Sequence, residues 1–226
     1  MRTFFFLISS LSITFSNAQD LKAFSVPEGY AKITESKGDL DKDGNDEIVM
    51  IFNTTQRVSE NKEYPKDKDY KRVLYILKNE NGNLKIWKEN AVLLLSSGTG
   101  FYPEDNIPEI KIKSNVLIIS QHFFTNSRHT QNYRHSFRFQ KGDFYLIGSY
   151  DNFEDTCSFS FLREINFSTG KVIINKDFSS CDDEVKIPEN VHKEFTHTFN
   201  ALIKMNDFQI GKNRFKIPGS NEYFIF

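Results

Sequence analysis

Short apolar runs dominate the chain from Gln19 onward, and Gly, Asn, Asp or Pro residues bound nearly every run. Alternating or β-branched runs of this length are typical of β-strands. The pattern predicts strands over residues 47–52, 72–77, 84–87, 91–95, 110–113, 116–120, 133–139 and 144–149. Two more strands are predicted on either side of Ser168-Thr169-Gly170.

Tight connections separate several of these strands. Asn81-Gly82, Ser114-Asn115 and Lys141-Gly142-Asp143 each lie between two of the predicted runs. Turns this short join antiparallel strands, because a parallel pair needs a crossover of about a dozen residues. The sequence therefore predicts a mainly β protein in which an antiparallel meander forms a sandwich, an open barrel or a propeller-like stack.

The segment 191–203 fits two periodicities. Apolar residues recur there at helical spacing, but they also alternate with polar ones from Phe195 to Ile203. The β-branched Thr196 and Thr198 favour a strand.

The first eighteen residues have the composition of a cleaved secretory signal. Met1-Arg2 is followed by the apolar stretch 4–15 and by small residues at Ser16-Asn17-Ala18. A buried N-terminal strand or helix is the alternative. We expect a signal peptide at 1–18, a single β-rich domain at 19–226, and a periplasmic or secreted location. No Cys lies near the cleavage point and later apolar runs are short, so neither a lipid anchor nor a membrane span is expected.

Charge and composition narrow the classes of partner. The chain has 29 Lys+Arg against 30 Asp+Glu, so nothing favours a nucleic-acid partner, whose phosphates attract a cationic excess. Hydrophobic residues make up 38% of the chain, which is enough for a folded core.

Two cysteines in an exported chain predict a disulfide. Cys157 and Cys181 flank the hairpin around Thr169. If Phe167 pairs with Lys171, the same register carried outward brings the two cysteines face to face. Two buried free thiols are the alternative.

Residues 38–47 carry the clearest chemistry in the chain. They read Gly-Asp-Leu-Asp-Lys-Asp-Gly-Asn-Asp-Glu, with acidic side chains at alternate positions and Gly where a sharp turn is needed. Carboxylates this close repel each other unless a cation lies between them. Calcium takes six to eight oxygens and fits such a loop better than magnesium does. The predicted ligands are the side chains of Asp39, Asp41 and Asp43, the carbonyl of Asn45, and Glu47 directly or through water.

The residues after the loop exclude an EF-hand, which needs an acidic twelfth residue on an exiting helix. The twelfth residue here is Met50, inside an apolar run with β character. An aspartate-rich turn that leads into a strand resembles the calcium loops of FG-GAP and integrin α-subunit propeller repeats. The resemblance covers roughly fifteen residues. We find no second copy of the loop in the sequence, so a repeated propeller is not expected.

A broader resemblance links the chain to a group of secreted bacterial proteins that carry a single loop of this kind. It implies an exported β-protein but no particular reaction. The segments that carry it are 26–30, 38–44, 72–77, 137–140 and 144–148.

A structural calcium ion is favoured over a catalytic one, because one continuous loop fills the coordination shell and leaves no position for a substrate. A solvated turn without metal is the plainer alternative. We expect a calcium-stabilised binding or interaction module without catalysis. An extracytoplasmic hydrolase that uses the segment from His122 through His129 to His135 is the alternative function.

Overall fold

The fold was analysed in a computed structural model, which describes residues 24–58 and 69–226. The predicted signal peptide at 1–18 lies outside these residues. The strands in chain order are β1 (Ala31–Gly38), β2 (Glu47–Arg57), β3 (Tyr70–Glu80), β4 (Asn83–Asn90), β5 (Glu109–Lys113), β6 (Val116–Phe124), β7 (His129–Gln140), β8 (Asp143–Asp155), β9 (Phe159–Asn166), β10 (Lys171–Phe178), β11 (Val191–Thr196), β12 (Arg214–Lys216) and β13 (Tyr223–Ile225). One short 3-10 helix spans Pro103–Asp105.

The strands form two antiparallel meanders and a small ribbon. Strands β1 to β4 make a four-stranded sheet in chain order, β5 to β11 make a seven-stranded sheet in chain order, and β12 pairs with β13. Neither large sheet closes on itself, so the described residues form no closed barrel. The prediction of a mainly β antiparallel meander is confirmed.

Two-residue turns connect three of the strand pairs, as the sequence predicts. In each turn both central residues have positive φ: Asn81 and Gly82, Ser114 and Asn115, and Lys141 and Gly142. This backbone matches the right-handed twist of the flanking strands. Asn and Gly tolerate it at low steric cost, so the register of each hairpin is defined locally.

The two sheets share one hydrophobic core. Val49 and Ile51 of β2 pack with Leu117, Ile119 and other residues of the seven-stranded sheet in one buried cluster. Strands β2 and β3 also bury their other face in a second cluster around Phe52 and Leu77. Burial on both faces explains why these two strands read as continuous apolar runs rather than as alternating ones.

The predicted strand at 91–95 is wrong. The chain bends after β4, where Asn90 Oδ1 accepts hydrogen bonds from the backbone N–H groups of Val92 and Leu93. Leu93 and Leu94 are buried because this bend inserts them into the core. A short apolar run does not distinguish a strand from a buried loop.

The strand favoured within 191–203 is confirmed only for Val191–Thr196. Beyond it the chain is irregular, and Phe199, Leu202 and Ile203 pack against the core without strand pairing to one another. Tertiary packing, rather than strand geometry, therefore explains their alternation.

The predicted register of the β9–β10 hairpin is wrong by one residue. Lys171 pairs with Asn166, not with Phe167. Asn166 Oδ1 accepts hydrogen bonds from Ser168 N and Thr169 N, which closes a four-residue loop at 167–170. Phe167 turns into the core instead, where it contacts Phe226.

The Cys157–Cys181 disulfide is nevertheless present, with 5.2 Å between the Cα atoms. Both cysteines lie just beyond the paired residues of β9 and β10, so a register error of one residue does not separate them. A disulfide is typical of an oxidising compartment.

None of the helical segments in 24–58 and 69–226 has the length and apolar character needed to cross a membrane.

Candidate metal centre

The acidic loop, which we define as residues 39–47, connects β1 and β2. Gly38 and Glu47 form the last Cα pair of that hairpin, so the eight residues between them are free to coil. Gly44 has a φ of 86°, which a side chain would strain, and this supports the predicted sharp turn. The chain runs directly from the loop into β2 rather than into a helix, as the position of Met50 predicts.

Backbone N–H groups of the loop donate hydrogen bonds to both carboxylate oxygens of Asp39 but to only one oxygen each of Asp41 and Asp43. Asp39 accepts from Lys42 N at 2.6 Å and from Gly44 N at 3.2 Å. Asp41 Oδ1 accepts from Asp43 N, and Asp43 Oδ1 accepts from Asn45 N. These bonds fold the loop and leave Asp41 Oδ2 and Asp43 Oδ2 without a loop partner.

The carboxylates of Asp39, Asp41 and Asp43 converge. One oxygen from each lies within 4.8 Å of the other two. Two oxygens that each lie about 2.4 Å from one calcium ion are separated by at most about 4.8 Å, so the spacing is compatible with a shared ion.

Glu47 is the most unusual carboxylate of the loop, because its side chain is fully buried. Its Oε2 accepts a hydrogen bond from Leu40 N at 2.8 Å, but Oε1 has no hydrogen-bond partner among the described residues. Burial raises the pKa of Glu47; the charges of Asp41 and Asp43 act in the same direction, and the Leu40 N–H and Lys78 oppose them. A buried carboxylate oxygen without a partner is costly unless a cation compensates it.

Lys78 supplies the one ammonium group that meets these carboxylates among the described residues. Its Nζ forms ion pairs with Asp41 Oδ2 and with Asp43 Oδ2, the latter at 2.7 Å, and lies 3.8 Å from Glu47 Oε1. The oxygens that the loop leaves free therefore all face one positive charge. The hydrogen bonds that Lys78 donates to Asp41 and Asp43 raise the pKa of Lys78.

The sequence pattern of the acidic loop does not reveal Lys78. It lies 31 residues beyond Glu47, and only the pairing of β2 with β3 brings the two together. The last Cα pair at that end is Ile48 with Leu77, so the next position places Lys78 opposite Glu47. Only the pairing register of β2 with β3 therefore identifies Lys78 as a neighbour of the loop, because the spacing of residues within the loop does not depend on Lys78.

Both sheets hold the acidic loop. Asn115, in the turn between β5 and β6, donates from Nδ2 to the carbonyl oxygen of Asp39 at 2.7 Å. Leu40 is buried in the shared core. Gly38 lies so close to Ile112 of β5 that a Cβ atom there would come within 2.6 Å of its side chain. The loop is therefore a junction between the sheets.

Of the predicted ligands, Asp39, Asp41, Asp43 and Glu47 surround one region, and Asn45 adds a side-chain hydrogen bond to Asp43 Oδ1 at 3.1 Å. The donor set is all oxygen and predominantly anionic, which suits a hard divalent cation. The spacing of Asp39, Asp41 and Asp43 is therefore compatible with a hard divalent cation.

The three histidines of the alternative function do not converge. His129 Nε2 contacts Asp155 Oδ2 at 2.9 Å, and its Nδ1 faces Asn126 Nδ2 at 3.0 Å, so both ring nitrogens have partners. His135 is fully buried, and burial lowers its pKa to about 3. His122 lies on the opposite face of the sheet from His135 and bonds to Asn132 Oδ1 through Nδ1 at 2.6 Å.

Asp155 has a structural role beside the disulfide. Burial acts to raise the pKa of Asp155, but hydrogen bonds from Cys157 N, Arg128 and Ser158 outweigh it and hold that pKa well below its usual range. The Asp155 carboxylate, which contacts His129, therefore stabilises the connection between β8 and β9.

Comparison with known proteins adds no family to these observations: no family model, no curated protein and no solved structure matches the chain. The resemblance to FG-GAP loops consequently depends on the acidic loop alone.

Proposed function

We propose that the protein is an exported, calcium-stabilised β domain that works as a binding module, with calcium held by Asp39, Asp41, Asp43, Asn45 and Glu47. The observation that carries the metal assignment is Glu47 Oε1. This oxygen is buried, lacks a hydrogen-bond partner, and faces the same region as the free oxygens of Asp41 and Asp43.

Calcium is the ion we propose because the loop offers several carboxylate oxygens from one irregular turn. Magnesium demands near-ideal octahedral geometry at about 2.1 Å and keeps several waters, whereas calcium accepts six to eight irregular ligands. Extracellular calcium modules bind at roughly 10⁻⁴ to 10⁻³ M, so the medium outside the cytoplasm suffices to load such a site.

Lys78 is the competing counter-charge. Without a divalent ion, its ammonium group offsets the repulsion among the loop carboxylates. Calcium with its two charges replaces it, and Lys78 then withdraws from Asp41 and Asp43. The rival interpretation is that Lys78 is the permanent counter-ion and the loop binds no metal.

A structural role for the ion follows from where the loop lies. It follows β1 of the four-stranded sheet, is held by Asn115 of the seven-stranded sheet, and is anchored in the shared core by Leu40. An ion that rigidifies this junction stabilises both sheets together. A binding role is favoured over hydrolysis because the three histidines do not converge on one site: both ring nitrogens of His129 have partners, His135 is fully buried, and His122 lies on the opposite face of the sheet from His135.

The test is thermal unfolding of the mature chain with calcium, magnesium or a chelator. At a calcium concentration 100 times the Kd, stabilisation is about 2.7 kcal/mol. For a domain of this size that corresponds to a rise in Tm of roughly 5–10 °C. Magnesium at the same concentration is expected to give a smaller rise.

Two variants assign that response to the site. Asp41→Ala is expected to abolish it. Asp46→Ala is the matched control, because Asp46 is an exposed acidic residue of the same loop outside the proposed ligand set, and it should leave the response intact. No thermal shift and no calorimetric heat with calcium would overturn the metal assignment.

Export is tested separately. We expect the protein recovered outside the cytoplasm to begin at Gln19 and to carry the Cys157–Cys181 bond, which N-terminal sequencing and non-reducing mass spectrometry determine. An unprocessed chain retained in the cytoplasm would contradict the proposed location.

A further inference from the structure

A cavity of about 640 Å³ lies on the outer face of the seven-stranded sheet, away from the core. Strands β6, β7 and β8 form its floor, and the segment that leads into β5 forms a wall. Its polar and aromatic lining includes Asp105, Glu109, His122, Asn132, Arg134 and Tyr150.

The lining offers hydrogen-bond donors and acceptors side by side. Arg134 is exposed, its guanidinium stacks on the Tyr150 ring at 4.3 Å, and it forms no ion pair with the described residues. His122 Nδ1 donates to Asn132 Oδ1, because that oxygen only accepts. This arrangement leaves Asn132 Nδ2 as a donor. Asp105 and Glu109 add carboxylate acceptors.

Groups that both donate and accept hydrogen bonds match such a lining, and the hydroxyls of a sugar do both. A polyanion matches it poorly, because two carboxylates line the cavity against one guanidinium. A peptide cannot add to the strands of the cavity floor, because β6, β7 and β8 are each already paired on both sides.

A row of aromatic rings leads away from the cavity. The His122 ring contacts Phe124 at 5.3 Å, Phe124 contacts Tyr102 at 5.4 Å, and Tyr102 contacts Phe101 at 4.8 Å. Phe101 and Tyr102 are 54% and 38% exposed. With Tyr223 they are the only exposed Phe, Tyr or Trp side chains in the described part of the chain, although aromatic residues make up 15% of the sequence.

Exposure of two neighbouring rings in an otherwise buried aromatic set indicates a contact surface. Aromatic faces pack against the apolar C–H face of a pyranose ring, while a polar cavity beside them holds its hydroxyls. The row extends over several ring widths, so it suits an extended chain of sugars rather than a single one.

We propose that this cavity and the aromatic row together bind a neutral oligosaccharide chain. One sugar unit places its hydroxyls against Arg134, Asn132 and Asp105, and the following units lie along Tyr102 and Phe101. The inference names the ligand of the proposed binding module and rests on that function only for the premise that the exported domain binds a ligand.

The test is isothermal titration calorimetry of the calcium-loaded mature chain with neutral hexasaccharides of glucose, xylose and N-acetylglucosamine. A hexasaccharide of galacturonic acid and an uncharged extended peptide serve as comparison ligands. At least one neutral hexasaccharide is expected to bind more tightly than either. Tyr102→Ala and Arg134→Ala are each expected to weaken binding about tenfold or more.

Tyr223→Ala is the matched control, because it removes the other exposed aromatic ring at a position outside the cavity and should leave affinity unchanged. Circular dichroism and Tm verify that each variant is folded. The inference is overturned if no neutral hexasaccharide binds, if the anionic sugar or the peptide binds best, or if Tyr102→Ala and Arg134→Ala bind as tightly as Tyr223→Ala. The calcium-dependent Tm, measured without sugar, shows independently whether the proposed metal function holds.

Discussion

The side-chain amide of Asn115 donates a 2.7 Å hydrogen bond to the main-chain carbonyl oxygen of Asp39. The first residue of the acidic loop in one sheet is thereby tied to a two-residue turn in the other sheet. Folding of the loop and packing of the sheets are coupled through this bond.

Asn115→Gly tests that coupling. Asn115 has a φ of 61°, which Gly adopts without strain, so the substitution removes the amide and preserves the turn. Loss of one partly buried hydrogen bond is expected to lower the free energy of unfolding by about 1 kcal/mol and to weaken calcium binding. Urea unfolding with and without calcium measures both effects.

Asn81→Gly is the control for this substitution. Asn81 also has positive φ in a two-residue turn, but that turn joins two strands of the same sheet. The Asn81→Gly variant should therefore show the same calcium-dependent stabilisation as the wild type. Equal effects of the two variants on that response would mean that the Asn115 bond does not couple the loop to the second sheet.

Replacing Lys78 separates the two interpretations of the acidic loop. Lys78→Met removes the competing ammonium group and keeps much of its apolar stem. In chelator, the variant is expected to be less stable than the wild type, because the carboxylates lose their counter-charge. With calcium, its affinity should rise about tenfold, which corresponds to 1.4 kcal/mol. If Lys78 is instead the permanent counter-ion, calcium will not restore the lost stability.

Trp87 provides an optical measure of the same displacement. Lys78 Nζ lies 5.2 Å from the Trp87 ring centroid, and Trp87 is the only Trp in the chain. Calcium binding that moves Lys78 should change the fluorescence of Trp87, and Lys78→Met should remove that change. A calcium-dependent signal of equal size in the variant would show that Lys78 does not move.

The disulfide is expected to contribute to stability chiefly through the unfolded chain. The double variant Cys157→Ser, Cys181→Ser removes the disulfide, which joins residues 24 positions apart in the sequence. A loop of this length predicts a loss of about 3 kcal/mol. Chemical unfolding of the oxidised wild type and the double variant measures it, with the reduced wild type as control. A variant as stable as the oxidised wild type would contradict the expectation.

The local features of this fold were predictable because they depend on neighbouring residues. Turns such as Asn81-Gly82 and Lys141-Gly142 place a Gly with positive φ between flanking apolar runs, and each hairpin follows from that local chemistry. The convergence of Asp39, Asp41 and Asp43 is likewise contained in five consecutive residues.

Features that depend on strand pairing were not predictable from spacing. Lys78 meets Glu47 only through the β2–β3 register, and Asn115 meets Asp39 only because the two sheets pack together. The β9–β10 register was predicted wrongly because Phe167 is drawn into the core, a preference that the turn residues do not encode. The predicted strand that contains Leu93 and Leu94 is wrong because packing into the core, and not strand pairing, accounts for these apolar residues.

Burial of His135 predicts how stability depends on pH. Burial lowers the pKa of His135 to about 3, and neither ring nitrogen has a hydrogen-bond partner among the described residues. An unfolded histidine titrates near about 6.5, so below that pH the unfolded chain binds a proton that the folded protein does not. Stability linked to His135 is thus fully present above about pH 6.5 and falls by about 1.4 kcal/mol per pH unit below it.

His135→Phe should remove this dependence between pH 7.5 and 5, a range above the titration of most carboxylates. It also eliminates two unpartnered buried nitrogens beside Phe208, so the variant is expected to be at least as stable as the wild type at pH 5. Urea unfolding across this range provides the measurement. His192→Gln, at an exposed histidine, is the control and should keep the wild-type slope. If the unfolding free energy of His135→Phe depends on pH as steeply as that of the wild type, another group is responsible for the acid sensitivity. Protonation of His135 would then not be what distinguishes the folded from the unfolded chain.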